Sequence, residues 1–439
     1  MKTLSNIWIV FVSSVVGFTW LSGCDFSTRP QEEQYGEVVR SEKSRQLSPE
    51  VDEADEAELA AGNSAFALDL YQLLVRGDNN VFYSPYSISL ALAMAYAGAE
   101  GQTEQHMADT LHFTLPKARL HPAFNTLDLE LESRGEGAAG ADGEGFRLNI
   151  ANAMWGQRDY TFLTSFLDVL ALNYGAGLRL LDFAADPDGS RLTINDWVSD
   201  RTEERIQDLL APGTITSGTR LVLTNAVYFN AAWGQPFEEE NTQDDTFYLL
   251  DGSTVITEMM TQTTSFHYAQ GEAYQAVELP YDGGELSMVI LLPSEGEFEA
   301  FEASLDAGSF DAILADLRSE EVRLTMPKFT YESEFGLRRT LTDLGMANAF
   351  CGGSADFSGI DGGVGGLCIS EVIHKAFVLV DEAGTEAAAA TAVIFETTAA
   401  PGEPEEIIRV NVDRPFIFVI RDVETDTILF IGRLMNPTA

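Results

Sequence analysis

Apolar residues follow two rhythms along this chain. In "AELAAGNSAFALDLYQLLV" (57–75) and "SPYSISLALAMAYAGAEGQTEQHMADTL" (84–111) they recur every third or fourth position, which predicts helices. Ser84-Pro85 reads as an N-cap and first turn, and Ala97–Gly101 as a break. After residue 145 the pattern changes to β-branched and aromatic runs. "FRLNIANAMWG", "LVLTNAVYFNAAW", "AVELPYDGGELSMVILLPSE", "EVRLTMPKFTYE", "HKAFVLVDEAG" and "IRVNVDRPFIFVIRDVETDTILFIGRLMNP" all predict strands. Gly283-Gly284 marks a tight hairpin and Arg421–Thr427 a looser one, while helical patterns return at 190–210 and 334–344. Helices early, antiparallel strands late and no βαβ alternation predict an α+β fold.

One stretch fits neither rhythm. "DEAGTEAAAATAVIF" (381–395) begins as a helix former, with the run Ala387–Ala390, and ends as a strand former, Thr391–Phe395. "ETTAAPGEPEE" follows and suits neither.

Composition adds limits. With 45% hydrophobic residues in 439, most of the chain must bury a core. It carries 69 acidic against 26 basic residues, a formal net charge of −43. Such a surface repels phosphate backbones, so nucleic acid is not an expected partner, and basic partners are met faster than acidic ones.

The first residues differ from the rest. Lys2 precedes the apolar "IWIVFVSSVVGFTW" (7–20), and "LSGC" closes it at Cys24. The stretch resembles a lipoprotein signal peptide (1–23), which implies lipid on Cys24. The chain is then expected to be exported and anchored to a membrane by lipid alone, facing the periplasm or the cell exterior. Residues 24–56 are acidic and poor in large apolar side chains, which predicts a disordered tether ahead of a domain over 57–439.

The motifs of common catalysts are missing. His106, His112, His121, His267 and His374 are scattered, without metal-type spacing, and no CxxC, GxSxG or phosphate-cradling loop occurs. "GEGAAG" (135–140) matches a dinucleotide fingerprint in letters only, because no strand precedes it and glutamates flank it. Neither enzyme activity nor a cofactor is expected. With Cys24 assigned to lipid, Cys351 and Cys368 remain, as a disulfide or as two buried thiols.

Taken together, "NVFYSPYSISLALAMAYAGAEGQT", "LVLTNAVYFNAAWGQPF", "MPKFTYES", "LGMANAF", "ADFSGI", "VIHKAFVLVDEAGTEAAAATA" and "DRPFIFVIRD…TILFIGRLMNPT" occur in an order that resembles the serpins, the serine protease inhibitor family, over nearly the whole folded length. The resemblance implies three β-sheets, about nine helices and an exposed reactive loop near the C-terminus, here about 382–409. It also implies a monomeric suicide substrate. A serine protease attacks the loop and is held as a covalent acyl complex while the loop inserts into the main sheet. A papain-like cysteine protease is a second class of target. The alternative is a non-inhibitory serpin-fold binding or carrier protein.

The two-way segment then makes sense, since it must be loop in one state and strand in the other. Side chains alternate along a strand. Thr385, Ala387, Ala389, Thr391, Val393 and Phe395 form an uncharged face, and Glu386, Ala388, Ala390, Ala392, Ile394 and Glu396 form the other. Glu382, Gly384, Thr385, Glu386 and Ala387–Ala390 (including Ala388 and Ala389) match the hinge, with Gly384 supplying backbone freedom. Trp233, Lys328 and Glu382 match the breach, where the loop first enters, with a Lys328–Glu382 ion pair. Ser84, Ser87, Asn225 and His374 match the shutter, a buried polar cluster beneath the main sheet. Counting from Glu382 by the family pattern puts the reactive bond at Thr398–Ala399, flanked by Thr397 and Ala400. The loop is longer than the pattern, so neighbouring bonds stay open. The small residues suit an elastase-like pocket, and no Lys or Arg lies between Lys375 and Arg409.

Overall fold

The computed structural model describes residues 33–135, 147–363, 366–385 and 407–439. Cys24, Glu386–Ala390, the residues around Thr398–Ala399 and all of "GEGAAG" beyond Gly135 lie outside them.

The helical rhythm yields α1 (Glu53–Leu74), α2 (Pro85–Tyr96), α3 (Gly101–Leu111) and α4 (Lys117–Ser133). Between and after them run β1 (Glu37–Val39), β2 (Val81–Tyr83), β3 (Arg147–Gln157), α5 (Thr164–Tyr174), β4 (Leu178–Leu181), α6 (Pro187–Arg201) and β5 (Leu221–Ala232). The second half is mostly strands: β6 (Gln243–Tyr248), β7 (Thr254–Gln270), β8 (Tyr274–Pro280), β9 (Leu286–Pro293), β10 (Arg318–Pro327) and β11 (Phe329–Gly336). Short helices α7 (Phe298–Ser304), α8 (Ala307–Asp316), α9 (Arg338–Leu341) and α10 (Ser358–Asp361) interrupt it. β12 (Glu371–Val380), β13 (Gly384–Thr385), β14 (Ile408–Asn411), β15 (Phe416–Asp422) and β16 (Ile428–Leu434) complete the chain.

Ser84 caps α2 as its sequence predicts, its side chain accepting from Ser87 N at 3.2 Å with Pro85 in the first turn. All of α2 is buried, so it is a core helix beneath the main sheet.

The main sheet has seven strands in the order β1-β4-β3-β5-β13-β12-β11. β5 and β12 run parallel and are paired directly from Val222–Glu371 to Tyr228–Phe377. Above that stretch β13 stands between them. The remaining nine strands form one sheet in the order β14-β10-β7-β8-β9-β15-β16-β2, with β6 paired to β7 off this path. Two sheets are joined in it by the 17-residue β7, which pairs with β10 over Met259–Tyr268 and with β8 only over His267–Gln270. One long shared strand thus makes two of the three expected sheets continuous.

The N-terminal expectation needs correction. Residues 33–56 are not a free tether in the structure: β1 adds to the edge of the main sheet by pairing with β4, and α1 already starts at Glu53. Low apolar content argues against an independent core, but it does not prevent a segment from pairing with an open sheet edge. The helical pattern at 334–344 is also shorter than expected. β11 continues to Gly336, and an irregular helix follows with Gly345 at φ 122°.

Candidate functional site

At the top of the main sheet the chain leaves β12, turns at Asp381–Ala383 and re-enters as β13. Asp381 shapes the turn: its Oδ1 accepts from Ala383 N at 2.9 Å and Gly384 N at 3.2 Å. Burial raises the Asp381 carboxyl above its ordinary range against those two bonds. The carbonyl of Asp381 accepts from Trp233 Nε1 at 2.9 Å, and Trp233 N donates to the Ala383 carbonyl at 2.9 Å.

Glu382 points the other way. It pairs with Lys328 Nζ at 3.0 Å and accepts from Thr242 Oγ1 at 2.7 Å. Burial works against this carboxylate, yet Thr242, a backbone N–H and Lys328 outweigh it and hold it below the usual range. Burial likewise opposes the Lys328 ammonium, and Glu382 outweighs it, raising that group. Trp233, Lys328 and Glu382 therefore meet at one place, as the resemblance implies. Thr242 was not expected there, because a threonine in "ENTQDD" carries no local signal.

Gly384 and Thr385 pair with Ala232 and Ala231 of β5, and Thr385 also with Val380 of β12. Thr385 is 1% exposed and shares a hydroxyl–hydroxyl bond of 2.8 Å with Tyr281. Tyr281 stacks on Trp233 with ring centroids 4.7 Å apart. Thr385 thus faces the core, the orientation that parity assigns to the uncharged face. The role of Gly384 is spatial: a Cβ there would lie 2.2 Å from the Ala231 carbonyl oxygen. Close approach to β5 excludes a side chain, a reason different from the backbone freedom read from the sequence.

Further down, the polar cluster lies between α2 and the sheet. Ser84 N donates to His374 Nε2 at 3.1 Å, so Nδ1 carries the proton and bonds to Asn225 Oδ1. Burial lowers His374 to about 3, which keeps the ring neutral. Asn225 Nδ2 bonds to Ser87 Oγ and, at 2.5 Å, to Asn152 Oδ1. Ser87 Oγ donates to Asn152 Oδ1 at 3.2 Å, and Asn152 Nδ2 to the Ser87 carbonyl at 3.1 Å. Ser84, Ser87, Asn225 and His374 come together, and Asn152 joins them. An asparagine inside the otherwise apolar "IANAMW" was the available signal for it.

His374 pairs with Asn225 across the parallel β5–β12 boundary, so the network bonds the two strands that must part if the loop is to enter. Partner exchange among such groups keeps them satisfied as strands separate, which apolar packing cannot do. Cys351 and Cys368 form a disulfide, Cα–Cα 5.0 Å, closing the loop that leads into β12.

An α+β fold whose main sheet receives the start of a loop between two parallel strands, over a buried Ser/Asn/His network, defines a class of protein, and the comparisons agree with it. The family model "Serpin (serine protease inhibitor)" matches residues 61–437, and the chain belongs to that family. It is 43% identical over 385 residues to an uncharacterized serpin-like protein of Thermococcus kodakarensis, covering 88% of this chain and 87% of that one. It is 38% identical over 400 residues to Serpin B3 of Homo sapiens, covering 86% and 99%. Among solved structures, the thermophilic serpin tengpin in its native state superposes with a TM-score of 0.78 at 30% identity, covering 91% and 97%. Uncleaved ovalbumin superposes with a TM-score of 0.77 at 25% identity, covering 87% and 100%.

Proposed function

We propose that this chain is an inhibitory serpin, a suicide substrate for serine proteases with elastase-like specificity. The observation that carries the reading is the seat of β13: Gly384 and Thr385 already occupy the gap between β5 and β12. Below them the two strands are held partly by exchangeable polar bonds rather than by apolar packing alone. In the proposed reaction the protease serine oxygen attacks the Thr398 carbonyl. The Ala399 amine leaves with a proton, and an ester joins protease to Thr398. Residues from Glu386 onward then follow Thr385 into the sheet, with Ala387, Ala389 and Thr391 on the buried side. Small side chains at the leading end meet little steric opposition.

The small residues Thr397, Thr398, Ala399 and Ala400 favour a shallow protease pocket, and papain-like cysteine proteases form the second target class. The protein acts as a monomer, anchored to a membrane only through lipid on Cys24. Incubation with a small panel of serine and cysteine proteases tests the reading. An SDS-resistant adduct with an elastase-like protease is expected. Loop cleavage by every protease in the panel without an adduct, or adducts formed with trypsin alone, would overturn it.

A further inference from the structure

Strands β6, β7, β10 and β14 curl into a polar trough. Met259 of β7 pairs with Pro327 of β10 on one edge and with Gln243 of β6 on the other. β14 extends the sheet beyond β10. The far ends then meet, because Tyr248 N of β6 donates to the Asp413 carbonyl, just past β14, at 2.8 Å. The concavity encloses about 750 Å³, the scale of a small-ligand site.

Its floor follows from the register, since directly paired residues share a face. One row across the sheet is Thr263, Arg323 and Arg409, and the next is Thr261, Thr325 and Asn411. The Thr261 and Thr325 hydroxyls bond to each other at 3.0 Å. A third row holds Met259 and Gln243. At about 3.3 Å per residue of strand, the distance along β7 from Thr263 to Met259 is about 13 Å.

The two ends carry opposite charge. At one end Arg323 and Arg409 stand side by side, both exposed. Like charges at directly paired positions repel. Among the described residues neither side chain has an ion-pair partner, in a chain with 69 acidic residues against 26 basic. At the other end Asp244 and Asp245, next to Gln243, line the trough with Asp413 and the half-exposed ring of Tyr248. Asp413 is paired with Arg414 at 3.0 Å, whereas Asp244 and Asp245 make no ion pair among the described residues.

This pattern selects among ligands. A polyanion would set negative groups against the aspartates, and a neutral sugar would leave the arginine pair uncompensated. A simple cation would meet the same arginines. A molecule with a carboxylate at one end, an ammonium at the other and hydrogen-bonding groups between satisfies every part of the trough. A peptide with free termini has that layout. Its backbone N–H and C=O groups suit the Thr, Asn and Gln side chains of the floor, and about four or five extended residues reach about 13–18 Å.

We propose that this trough binds a peptide of about four or five residues with both termini free. The C-terminal carboxylate lies on Arg323 and Arg409, and the N-terminal ammonium lies at Asp244 and Asp245. Proteolysis is the class of reaction that supplies such ligands. Water adds to a peptide bond, the carbonyl side leaving as a carboxylate and the nitrogen side as an ammonium. The site does not depend on the inhibitory reading.

Calorimetric titration of the full-length protein with pentaalanine, free or blocked at its ends, tests the proposal. The free peptide should bind, and either N-acetylation or C-amidation should weaken binding about tenfold or more. Arg323→Gln with Arg409→Gln should bind the free peptide as weakly as wild type binds the amide, and should no longer distinguish the two. Asp244→Asn with Asp245→Asn should do the same for the acetylated peptide. All four side chains are exposed, so both variants should melt with wild type. No binding at millimolar peptide, equal binding of the free and doubly blocked peptides, or a variant that keeps its preference overturns the site. Binding that appears only after Glu403→Gln, Glu405→Gln and Glu406→Gln overturns it as well, since the arginine pair then serves the chain's own acidic segment.

Discussion

Tyr281 and Thr385 share a hydrogen bond, hydroxyl to hydroxyl at 2.8 Å, with both side chains withdrawn from solvent. Thr385 is the last described residue before the loop, and its partner is stacked on Trp233. The entry point of the loop is thus already closed around one small polar side chain, and what replaces that side chain should decide whether the rest can follow.

Thr385→Arg is expected to abolish inhibition while leaving the loop cleavable. Placing an unpaired guanidinium against Tyr281 costs several kcal/mol, and each ~1.4 kcal/mol added to the insertion barrier slows it about tenfold. Hydrolysis of the acyl-enzyme then wins, and the stoichiometry of inhibition rises steeply. Ala388→Arg, on the opposite face, should change it far less. One-to-one trapping by Thr385→Arg, or equal damage from Ala388→Arg, would contradict the face assignment.

Cleavage within 396–400 should raise thermal stability, because the inserted segment replaces the short β13 by a full strand bonded to β5 and β12. A melting curve before and after limited elastase digestion checks this. An unchanged or lower midpoint would point to the non-inhibitory alternative.

Acid should loosen the protein through its buried histidines. His374 is held at about 3 by burial, and His121 at about 3 by burial and by Lys117. Both lie below the ordinary histidine value of about 6.5. The unfolded chain takes up those protons first, so stability is fully present above about pH 6.5 and declines by about 1.4 kcal/mol per pH unit for each group down to about pH 3. Urea midpoints of wild type and His374→Asn between pH 4.5 and 7 measure it. The variant starts less stable but should show the shallower slope. Parallel slopes would mean that His374 is not the titrating group.

Cys24→Ser should abolish metabolic labelling with palmitate and release the protein from membranes. Labelling equal to wild type would rule out the anchor.

Gly384→Ala isolates the close approach to β5. A Cβ directed at the Ala231 carbonyl forces β13 and β5 apart, a cost of about 1–3 kcal/mol by the usual scale of overpacking. The native melting midpoint should fall even though alanine suits a strand better than glycine does. An unchanged midpoint would return the residue to the conformational role that its sequence context suggests.

The elements with strong local patterns were legible in the chain itself. α2 with its Ser84-Pro85 start, the hairpin at Gly283-Gly284, and the strands β5 and β12 each announce themselves within a dozen residues, because backbone propensity and side-chain period act at that range. The segment from Asp381 to Phe395 was legible for the same reason: a stretch that reads as both helix and strand is a local property. Within it, Gly384 and Thr385 do stand as a strand.

What tertiary structure decided are the meetings between distant residues. Thr242, Tyr281 and Asn152 sit in ordinary local contexts, and they matter only because folding brings them to Glu382, Thr385 and Asn225. The segment at 33–52 is the sharpest case. Its composition cannot bury a core of its own, which is why it reads as a tether. It is ordered because the edge strand β4 offers unpaired backbone groups and because Asp128, Asp168 and Asp200 await its hydroxyls and cations from as far as 165 positions along the chain. Local periodicity reports how a segment can fold, but only the assembled surface determines what that segment will find to bind.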